Sequence, residues 1–399
     1  MIKVVGGTYD EFCLEPYHRE RYGSGLRACT VLKALSPEID LEYYTFCNKS
    51  VSKFLTYLSF PCFPIFTPFT VSFRYDYPLA EPHITPRADG FDKKQYILNV
   101  EGENILCYGL YEGRAIVKGN KVVYDPQSPV NPVPFSQTQS QAEELAYVVN
   151  IKEAATIAGT NEVSEIKKFF FDNEKASVLV IKMGPKGALV VLREGSEFIV
   201  PVYKTDKVWP IGSGDVFAAT FAFHWFSNGD PFNAAQQASW QTACYCNYKD
   251  YIFPSINSIP SILPLTIAEY SEKQVYLAGP FFTFAERWLI EQLRNSLRGM
   301  KLKVFSPFHD VGHGVAEDVV QKDLEALEKS AIVFAVLDGL DSGTLFEIGY
   351  AVKMGIPVIA YVENESSESV KMLEGTNCLL EKDLTAAIYK CFWKLAENV

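Results

Sequence analysis

Residues 331–362 read AIVFAVLDGLDSGTLFEIGYAVKMGIPVIAYV. The apolar runs 331–337 and 356–362 have the length of buried strands, and the segment 344–354 between them has the composition of a helix. A strand, a helix and another strand in succession are typical of a parallel sheet with helices on its faces. The stretch therefore predicts an α/β fold.

The same alternation extends on both sides of this stretch. It predicts further strands at 274–278 and 302–305 and further helices at 284–298, 315–329 and 383–396. We expect a doubly wound parallel-sheet domain of the Rossmann or flavodoxin-like kind. Ligands of such sheets bind outside the carboxyl ends of the strands, which here are Gly279, Ser306, Asp338 and Val362.

Composition limits the class of protein. The chain has 399 residues with 48% hydrophobic content, 21% charged content and a net charge of -11, which favours two or three globular domains and small ligands over a nucleic acid polymer. The start of the sequence does not resemble a signal peptide, and no run approaches the roughly 18 apolar residues of a membrane span. Nine cysteines without a CxxC pair indicate buried thiols in a reducing compartment, so we expect a cytoplasmic protein.

A proline- and serine-rich stretch, FPSINSIPSILPLT at 253–266, marks a linker, because it cannot extend a helix or a central strand. We therefore place a first domain at 1–252, a linker at 253–272 and a second domain at 273–399. The first domain is also α/β: its predicted strands lie at 2–5, 96–100, 105–108, 121–124, 146–150, 178–182 and 187–192, and its helices at 26–35, 138–146, from 164, at 214–226 and at 231–247. Residues 43–90 have no clear period.

Three strand ends of the second domain carry distinctive residues. They read Tyr276-Leu-Ala-Gly-Pro-Phe-Phe282, Phe305-Ser-Pro-Phe-His-Asp-Val-Gly-His-Gly314 and Asp338-Gly-Leu-Asp-Ser-Gly-Thr-Leu-Phe-Glu-Ile-Gly-Tyr-Ala351. The third places three carboxylates beside a helix start. On spacing alone, Thr344 and Glu347 also fit a helix capping box, Asp338 and Asp341 fit a polar loop, and Phe281 and Phe282 fit a core.

The first and third motifs together resemble the nucleoside 2-deoxyribosyltransferase family over roughly 274–362. The resemblance implies that Glu347 is the nucleophile, that Tyr276 orients it and that Asp323 and Asp341 bind the base and manage its proton. Phe281 would stack on the base, and Gly343 would let the loop approach the sugar. The other predicted substrate contacts are Gly279, Phe282, Asp338, Ser342 and His309.

The chemistry suits these residue types. Cleavage of a C–N glycosidic bond passes through an oxocarbenium-like state, which a carboxylate can trap as a glycosyl ester. A protonated acid must supply a proton to the departing base. A second base then gives transfer, and water gives hydrolysis. We predict no metal: His309 and His313 are four residues apart, but Gly312 and Gly314 disfavour a helix and there is no obvious third ligand.

The second domain also departs from the family pattern. Ala331 stands where the family often has an aspartate, and the segment from Asp323 to Glu347 is slightly short. A neighbouring subunit often completes the pocket in the family, so we expect a homo-oligomer.

The first domain carries Trp209-Pro-Ile-Gly-Ser-Gly-Asp215, which resembles the glycine-rich signature of ribokinase-like (PfkB) sugar kinases. The resemblance covers roughly 1–250 and implies an anion hole at Gly212, Ser213 and Gly214, with Asp215 as the base. It further implies sugar binding by Asp10 and a metal-and-phosphate motif at Asn150 and Glu153. The stretch Lys182-Met-Gly-Pro-Lys-Gly-Ala-Leu-Val resembles the nucleotide-side strand and turn.

The first domain departs from the family at two places. Trp209-Pro210 replaces the usual Asp-Thr, and Arg27 replaces the asparagine of the early glycine motif. In the purely structural reading, Asp215 is an acid favoured in the first turn of a helix by its dipole. If the domain is a kinase, it requires ATP and Mg²⁺; the second domain requires no cofactor.

These observations give two hypotheses. Under one hypothesis, residues 273–399 are a nucleoside 2-deoxyribosyltransferase or N-glycosidase. This domain acts on 2'-deoxynucleosides or related nucleosides and nucleotides, with a free nucleobase as partner. The domain at 1–252 then phosphorylates or binds a sugar or nucleoside. In the second, an inactive kinase-like domain senses a nucleotide and controls an effector that cleaves nucleosides, nucleotides or NAD.

Overall fold

The computed structural model describes residues 1–87, 95–128, 131–312 and 315–397. Contacts divide the chain into two compact units. The first comprises Met1–Thr205 and Trp209–Pro264, and the second comprises Asp206–Val208 and Leu265–Val399. None of the described helices is both long enough and apolar enough to cross a bilayer.

The first unit contains the following strands in the described part of the chain: β1 (Ile2–Val5), β2 (Tyr9–Cys13), β3 (His18–Tyr22), β4 (Leu41–Cys47), β5 (Cys62–Phe66), β6 (Ser72–Tyr75), β7 (His83–Thr85), β8 (Ile97–Tyr108), β9 (Arg114–Asp125), β10 (Gln141–Asn150), β11 (Val178–Lys182), β12 (Ala188–Leu192), β13 (Glu197–Val200) and β14 (Val202–Lys204). Its helices are α1 (Gly23–Leu35), α2 (Lys49–Leu55), α3 (Ile151–Ala158), α4 (Val163–Asp172), α5 (Ser213–Asn228) and α6 (Pro231–Tyr248).

The main sheet of this unit has the order β13-β12-β11-β10-β9-β8-β1-β4-β5. Pairing is parallel from β5 to β11 and antiparallel from β11 to β13. Successive side chains alternate between the two faces, so Val4 belongs to one core and Val5 to the other. A second sheet, of order β3-β2-β6-β7, includes part of the segment 43–90 that the sequence left unassigned.

Three expectations for the first unit are corrected. The helix predicted at 138–146 is wrong, because Gln141–Asn150 is the strand β10, paired with β9 on one side and β11 on the other. The strands predicted at 96–100 and 105–108 are one strand, β8. Residues 253–264 of the expected linker belong to the first unit: Trp240 donates its Nε1–H to the carbonyl of Pro254 at 2.9 Å, and Ile262 is buried.

A short strand, β15 (Leu263–Leu265), stands at the boundary between the units. The second unit then contains β16 (Gln274–Ala278), α7 (Phe284–Gly299), β17 (Lys303–Phe305), α8 (Pro307–Asp310), α9 (Ala316–Glu328), β18 (Ile332–Val336), α10 (Ser342–Met354), β19 (Val358–Tyr361), α11 (Ser367–Glu374), β20 (Cys378–Glu381) and α12 (Leu384–Ala396). The predicted alternation is confirmed, and α8, α11 and β20 are additional elements.

The sheet of the second unit has the order β17-β16-β18-β19-β20, and every pair is parallel. The strands β16 and β18 are buried on both faces, which explains their continuous apolar sequences. Because β16 lies between β17 and β18, the three motif-bearing strand ends meet at one edge. This arrangement positions the candidate site.

Candidate active site

The centre of the site in the second unit is a hydrogen bond between Tyr276 and Glu347. The phenol oxygen of Tyr276 lies 2.6 Å from Oε1 of Glu347 and donates to it. Tyr276 is fully buried on β16, and its ring stacks on Phe305 of β17 at 5.5 Å. The ring is thereby fixed, and its hydroxyl holds the carboxylate on α10.

The start of α10 decides between two readings of Glu347. The N-cap is Asp341, whose Oδ2 accepts hydrogen bonds from the amide and the hydroxyl of Thr344 at 2.8 and 2.9 Å. Thr344 therefore lies in the first turn rather than at the cap, and the capping box with Glu347 is wrong. The carboxylate of Glu347 is directed to Tyr276 instead.

Glu347 and Asp323 have raised pKa values. Burial raises the pKa of Glu347 to about 7, with a further increase from Asp323 and Asp341; the Tyr276 hydrogen bond opposes the shift. Burial raises the pKa of Asp323 on α9 to about 6. Oδ1 of Asp323 is buried and has no hydrogen-bond partner within the described structure. Two carboxyl groups that interact electrostatically and have such raised pKa values can share one proton near neutral pH.

The loop that carries Asp338 is ordered by that residue. The Asp338 carboxylate accepts hydrogen bonds from the amide of Glu363 at 3.0 Å and from the amide of Asn364 at 2.8 Å. Asp338 thus joins the end of β18 to the segment after β19. Its predicted contact with substrate remains a prediction.

An aromatic group lies after β16. The ring of Phe281 is 5.2 Å from that of Phe282 and 5.3 Å from that of Phe308, while Phe282 is 69% exposed. A Cβ on Gly279 would lie 2.7 Å from Cδ1 of Ile290 and 3.1 Å from Cβ of Val336, so a larger residue would require these side chains to shift where the loop leaves the sheet. The exposed ring surface is available for stacking on a planar ligand.

The remaining predicted contacts are distributed around this edge. Ser342 and Gly343 are exposed in the first turn of α10. His309 on α8 is engaged at both ring nitrogens, with Ser306 Oγ at 3.1 Å and Glu291 Oε2 at 2.7 Å. His313 lies outside the described residues. Among the described residues, no cluster of three metal-ligating side chains occurs.

The first unit has its own cavity, of about 900 Å³. It is bordered by the glycine turn before α5 and by the second sheet. The described lining residues include Tyr9, Glu11, Phe73, Tyr75, Ile84, Tyr108, Tyr111, Asp125, Gln127, Asn150, Glu153, Lys182, Gly212, Gly214 and Asp215. The predicted glycine turn, Asn150, Glu153 and Asp215 are thus brought together.

An ion triad of Glu11, Arg27 and Asp215 occupies one end of this cavity. Nη1 of Arg27 donates to Oε1 of Glu11 and to Oδ2 of Asp215, both at 3.0 Å, and Nη2 donates to Glu11. Gln127 donates to the other carboxylate oxygen of Asp215. Arg27 is 1% exposed. Burial raises the pKa of Asp215 to about 6, and Arg27 opposes this shift.

The prediction for Asp10 is corrected by the alternation of β2. Asp10 forms an ion pair with Arg21 at 2.7 Å and does not line the cavity, whereas its neighbour Glu11 does. Adjacent strand residues point to opposite faces. The sequence analysis did not predict the strand β2, and therefore did not indicate which of its residues faces the cavity, so Glu11 was missed.

The cavity is also lined by Asn150, Glu153, Asp125 and Lys182. Asn150 and Glu153 form the capping box of α3, with each side chain accepting from the other residue's amide at 2.9 and 3.0 Å. Nζ of Lys182 donates to Asp125 at 2.6 Å. Sequence reasoning missed Asp125 and Gln127. Asp125 ends the apolar run of β9, where an acid could have been suspected.

Family comparisons agree with both resemblances. The pfkB family carbohydrate kinase model matches residues 116–257, and the nucleoside 2-deoxyribosyltransferase model matches residues 275–379. The chain therefore carries one domain of each kind. This confirms the predicted fusion of a PfkB-type domain with a nucleoside 2-deoxyribosyltransferase-type domain.

Individual relatives match smaller parts of the chain. A 5-dehydro-2-deoxygluconokinase of Listeria monocytogenes is 27% identical over 106 residues, 24% of this chain and 33% of that protein. This chain thus spans about a third of the length of that curated relative. A fructokinase from Vibrio cholerae, solved in a fructose, ADP and calcium ion bound form, has a TM-score of 0.48 at 16% identity, covering 63% of this chain and 95% of that one. A nucleoside kinase of Methanocaldococcus jannaschii has a TM-score of 0.45 at 13% identity, with 63% and 94% covered.

Proposed function

We propose that this fusion of a PfkB-type domain with a nucleoside 2-deoxyribosyltransferase-type domain cleaves the N-glycosidic bond of 2'-deoxynucleosides or related nucleosides and nucleotides, with Glu347 as nucleophile. The observation that carries the proposal is the 2.6 Å hydrogen bond from Tyr276 to Glu347, whose carboxylate interacts electrostatically with Asp323. Oδ1 of Asp323 is buried and has no hydrogen-bond partner among the described residues. One buried acid is held by a fixed donor, and the other is open to a ligand.

The first chemical step forms a glycosyl ester. The carboxylate of Glu347 attacks the anomeric carbon as the C–N bond breaks, and the bonding electrons leave with the base. A protonated carboxyl group, Asp323 or Asp341, gives its proton to the departing base, so that a neutral base is released. The Tyr276 hydroxyl keeps the attacking oxygen in place and lowers the pKa of Glu347.

The second step resolves the ester. A nitrogen of a second base, or a water oxygen, attacks the anomeric carbon and Glu347 leaves as a carboxylate. The attacking group loses its proton to the acid that was deprotonated in the first step. Transfer and hydrolysis therefore use the same residues, and the occupant of the base site decides between them.

Substrate contacts follow from the edge of the sheet. Phe281 and Phe282 offer ring faces to the base, and the first turn of α10, with Ser342 and Gly343, approaches the sugar. Gly279 keeps the chain close to the sheet at this point. A base held against the rings and a sugar over α10 would place the glycosidic bond near Glu347.

For the first unit, the family match suggests ATP and a metal ion. Both buried cations beside the glycine turn are already paired with carboxylates, Arg27 with Glu11 and Asp215, and Lys182 with Asp125. These contacts favour the second hypothesis for this unit, a sensing module attached to the glycosidase domain.

Base release tests the proposal directly. The purified chain is mixed with deoxynucleosides, deoxynucleotides, ribonucleosides and NAD, with and without a second free base, and products are separated by chromatography. Glu347→Gln should reduce base release by at least about a thousandfold. The matched control, Glu374→Gln, changes an exposed glutamate at the end of α11 and should retain activity. Full activity in Glu347→Gln would exclude the nucleophile assignment.

A further inference from the structure

The short helix α8 carries one of the rings beside the candidate site of the second unit. It comprises only four residues, and a helix of that length is not stable in water by itself. Contacts with other elements must therefore fix its position. The ring of Phe308 on α8 lies 5.3 Å from that of Phe281, which we expect to stack on the base. Whatever holds α8 in place thus also holds the surface on which a base would stack.

His309 connects α8 to the long helix α7. Its Nε2 lies 2.7 Å from Oε2 of Glu291 on α7, and its Nδ1 lies 3.1 Å from Oγ of Ser306 at the N-cap of α8. The side chain of His309 is 15% exposed, and its ring packs edge-on against Phe308 with the centroids 4.8 Å apart. Each ring nitrogen forms a single hydrogen bond, so both are used within the chain and neither is left for a substrate.

The bond between His309 and Glu291 has a defined direction. The hydrogen bond from His309 lowers the pKa of Glu291 below its ordinary value. Because an ionised carboxylate only accepts hydrogen bonds, Nε2 of His309 is the donor. Nδ2 of Asn295 donates to the other oxygen of Glu291 at 3.1 Å. Glu291 is therefore held from two sides and presents a fixed acceptor to His309.

A second contact joins the same two helices. The carboxylate of Asp310 accepts the amide of Ser306 at 2.8 Å, and its other oxygen lies 3.7 Å from Nη2 of Arg294. Glu291 and Arg294 are three positions apart on α7 and so lie on one face of that helix. Two neighbouring residues of α8 are thus paired with one face of α7, and α8 is held at two points.

The other ring that contacts Phe281 is also fixed to α7. The amide of Phe282 donates to Oε2 of Glu286 at 2.8 Å, and Glu286 belongs to the capping box that begins α7 after Thr283. The ring of Phe282 stacks on that of Phe281 at 5.2 Å. Phe281 therefore contacts two rings, one in front of α7 in the sequence and one behind it, and both are anchored to that helix.

We propose that Glu291 and His309 are positioning residues, which hold Phe308 against Phe281 and thereby set the affinity of the second unit for a nucleobase without touching it. The nucleobase as ligand rests on the function proposed above. The positioning rests on the contacts of His309 with Glu291 and Phe308.

The affinity for free bases is measured by calorimetry on the full chain, with adenine, hypoxanthine, cytosine and thymine as probes. Glu291→Leu and His309→Leu remove the hydrogen bond, and each should weaken the binding of a base by about fivefold to tenfold. Glu291→Gln keeps an acceptor, and His309→Gln keeps a donor near the position of Nε2, so both should retain most of the affinity. Equal losses in the leucine and glutamine variants would show that the hydrogen bond is not what matters.

Three further variants control the measurement. Phe281→Ala should abolish base binding, which shows that the bases bind at the second unit. Glu368→Leu changes an exposed residue of α11 and should leave the affinity unchanged. Where a leucine variant of the pair fails to fold, Ser306→Ala takes its place, because it removes only the hydroxyl that contacts Nδ1 of His309; it should weaken binding by about threefold.

The double variant separates positioning from direct contact. If His309 acts through its bond to Glu291, the two leucine substitutions together should weaken binding no further than either does alone. Additive losses, or a loss in His309→Leu with full affinity in Glu291→Leu, would show that His309 touches the base itself and would overturn the proposal. Unchanged affinity in both variants would also overturn it, and so would failure of every base to bind the wild-type chain.

Catalysis is scored apart from binding. In assays of base release, KM should rise in the two leucine variants by the same factor as the dissociation constant, while kcat changes less. A chain that binds bases with the expected pattern but releases none would refute the function proposed for Glu347 and support the role of His309. A chain that releases base with unchanged KM in both variants would do the reverse.

Discussion

The phenol of Tyr276 and the carboxylate of Glu347 are joined by a 2.6 Å hydrogen bond across 71 positions of sequence. One residue comes from the middle of β16 and the other from the second turn of α10. The bond connects the centre of the parallel sheet to the helix that follows β18, and it is the reference point for the predictions below.

Loss of the Tyr276 hydroxyl should impair Glu347 without abolishing its action. In Tyr276→Phe the hydrogen bond that lowers the pKa of Glu347 disappears, so that pKa should rise. We expect kcat to fall by about tenfold to a hundredfold with a small change in KM, measured by base release. Tyr350→Phe removes a hydroxyl that donates to Glu328 on the surface and is the matched control. An unshifted pH profile in Tyr276→Phe would show that the hydrogen bond does not tune Glu347.

The pH profile of kcat/KM should be bell-shaped. The productive form has Glu347 ionised and one acid protonated, so the pair must hold one proton. With pKa values of about 7 for Glu347 and about 6 for Asp323, both are protonated below pH 6 and both are ionised above pH 7. We expect a maximum between about pH 6 and 7, measured by initial rates of base release. Asp323→Asn should remove the alkaline limb if Asp323 is the proton donor.

Glu347 should lower the stability of the second unit at high pH. The pKa of Glu347 is raised in the folded state. Between about pH 4.5 and 7, the folded form therefore keeps a proton that the unfolded form has lost. The free energy of unfolding falls over that range as pH rises. Glu347→Gln should therefore stabilise the unit at pH 8, on the order of 1–3 kcal/mol, with little effect at pH 4. Hydrogen exchange of the β16 and β18 amides measures this. Equal effects at both pH values would contradict it.

Asp341 has two roles that two substitutions separate. It caps α10 through the Thr344 amide, and its charge raises the pKa of Glu347. Asp341→Asn keeps an acceptor at the cap and should cost little stability, whereas Asp341→Ala should cost about 1 kcal/mol in urea unfolding. Both should lower the pKa of Glu347 in the rate profile. If Asp341→Asn is fully active, Asp341 is not the proton donor.

Arg27 should be among the most stabilising residues of the first unit. Arg27→Asn leaves Glu11 and Asp215 buried without their cation, and we expect a loss of about 3–5 kcal/mol. Arg21→Asn breaks the half-exposed ion pair with Asp10 and should cost at most about 1 kcal/mol. Urea unfolding followed by the tryptophans at 209, 225 and 240 compares the two variants. Equal losses would mean that the triad is not a stabilising element.

The second unit was largely predictable because its strands are apolar runs separated by amphipathic helices. The strand at 274–278 matches β16, and the end of the helix at 354 matches α10. The strand β10 was not predictable in the same way. Its first half, Gln141–Glu144, is polar and of helical composition, and its pairing with β9 comes from residues 23 positions earlier.

A contact within a site was predictable from the sequence when both residues belong to one short motif. Contacts between residues from distant parts of the chain were not predictable. The glycine turn and Asp215 adjoin in sequence and in the cavity. The contact of Arg27 with Asp215 spans 188 positions, and no local pattern indicates it. Asp338 was interpreted as a substrate contact from its place at a strand end, yet its oxygens accept amides of residues 363 and 364, which only the folded chain brings there.

The position of β1 in the first sheet has a consequence for synthesis on the ribosome. This strand is made before β4 and β8 but lies between them in the sheet, so one of its edges stays unpaired until residues beyond 97 have emerged. Its side chains are among the most buried of the protein. A nascent chain that stalls before β8 therefore exposes an apolar strand edge, which is a template for aggregation. Translation speed between β1 and β8 becomes a determinant of the yield of folded protein.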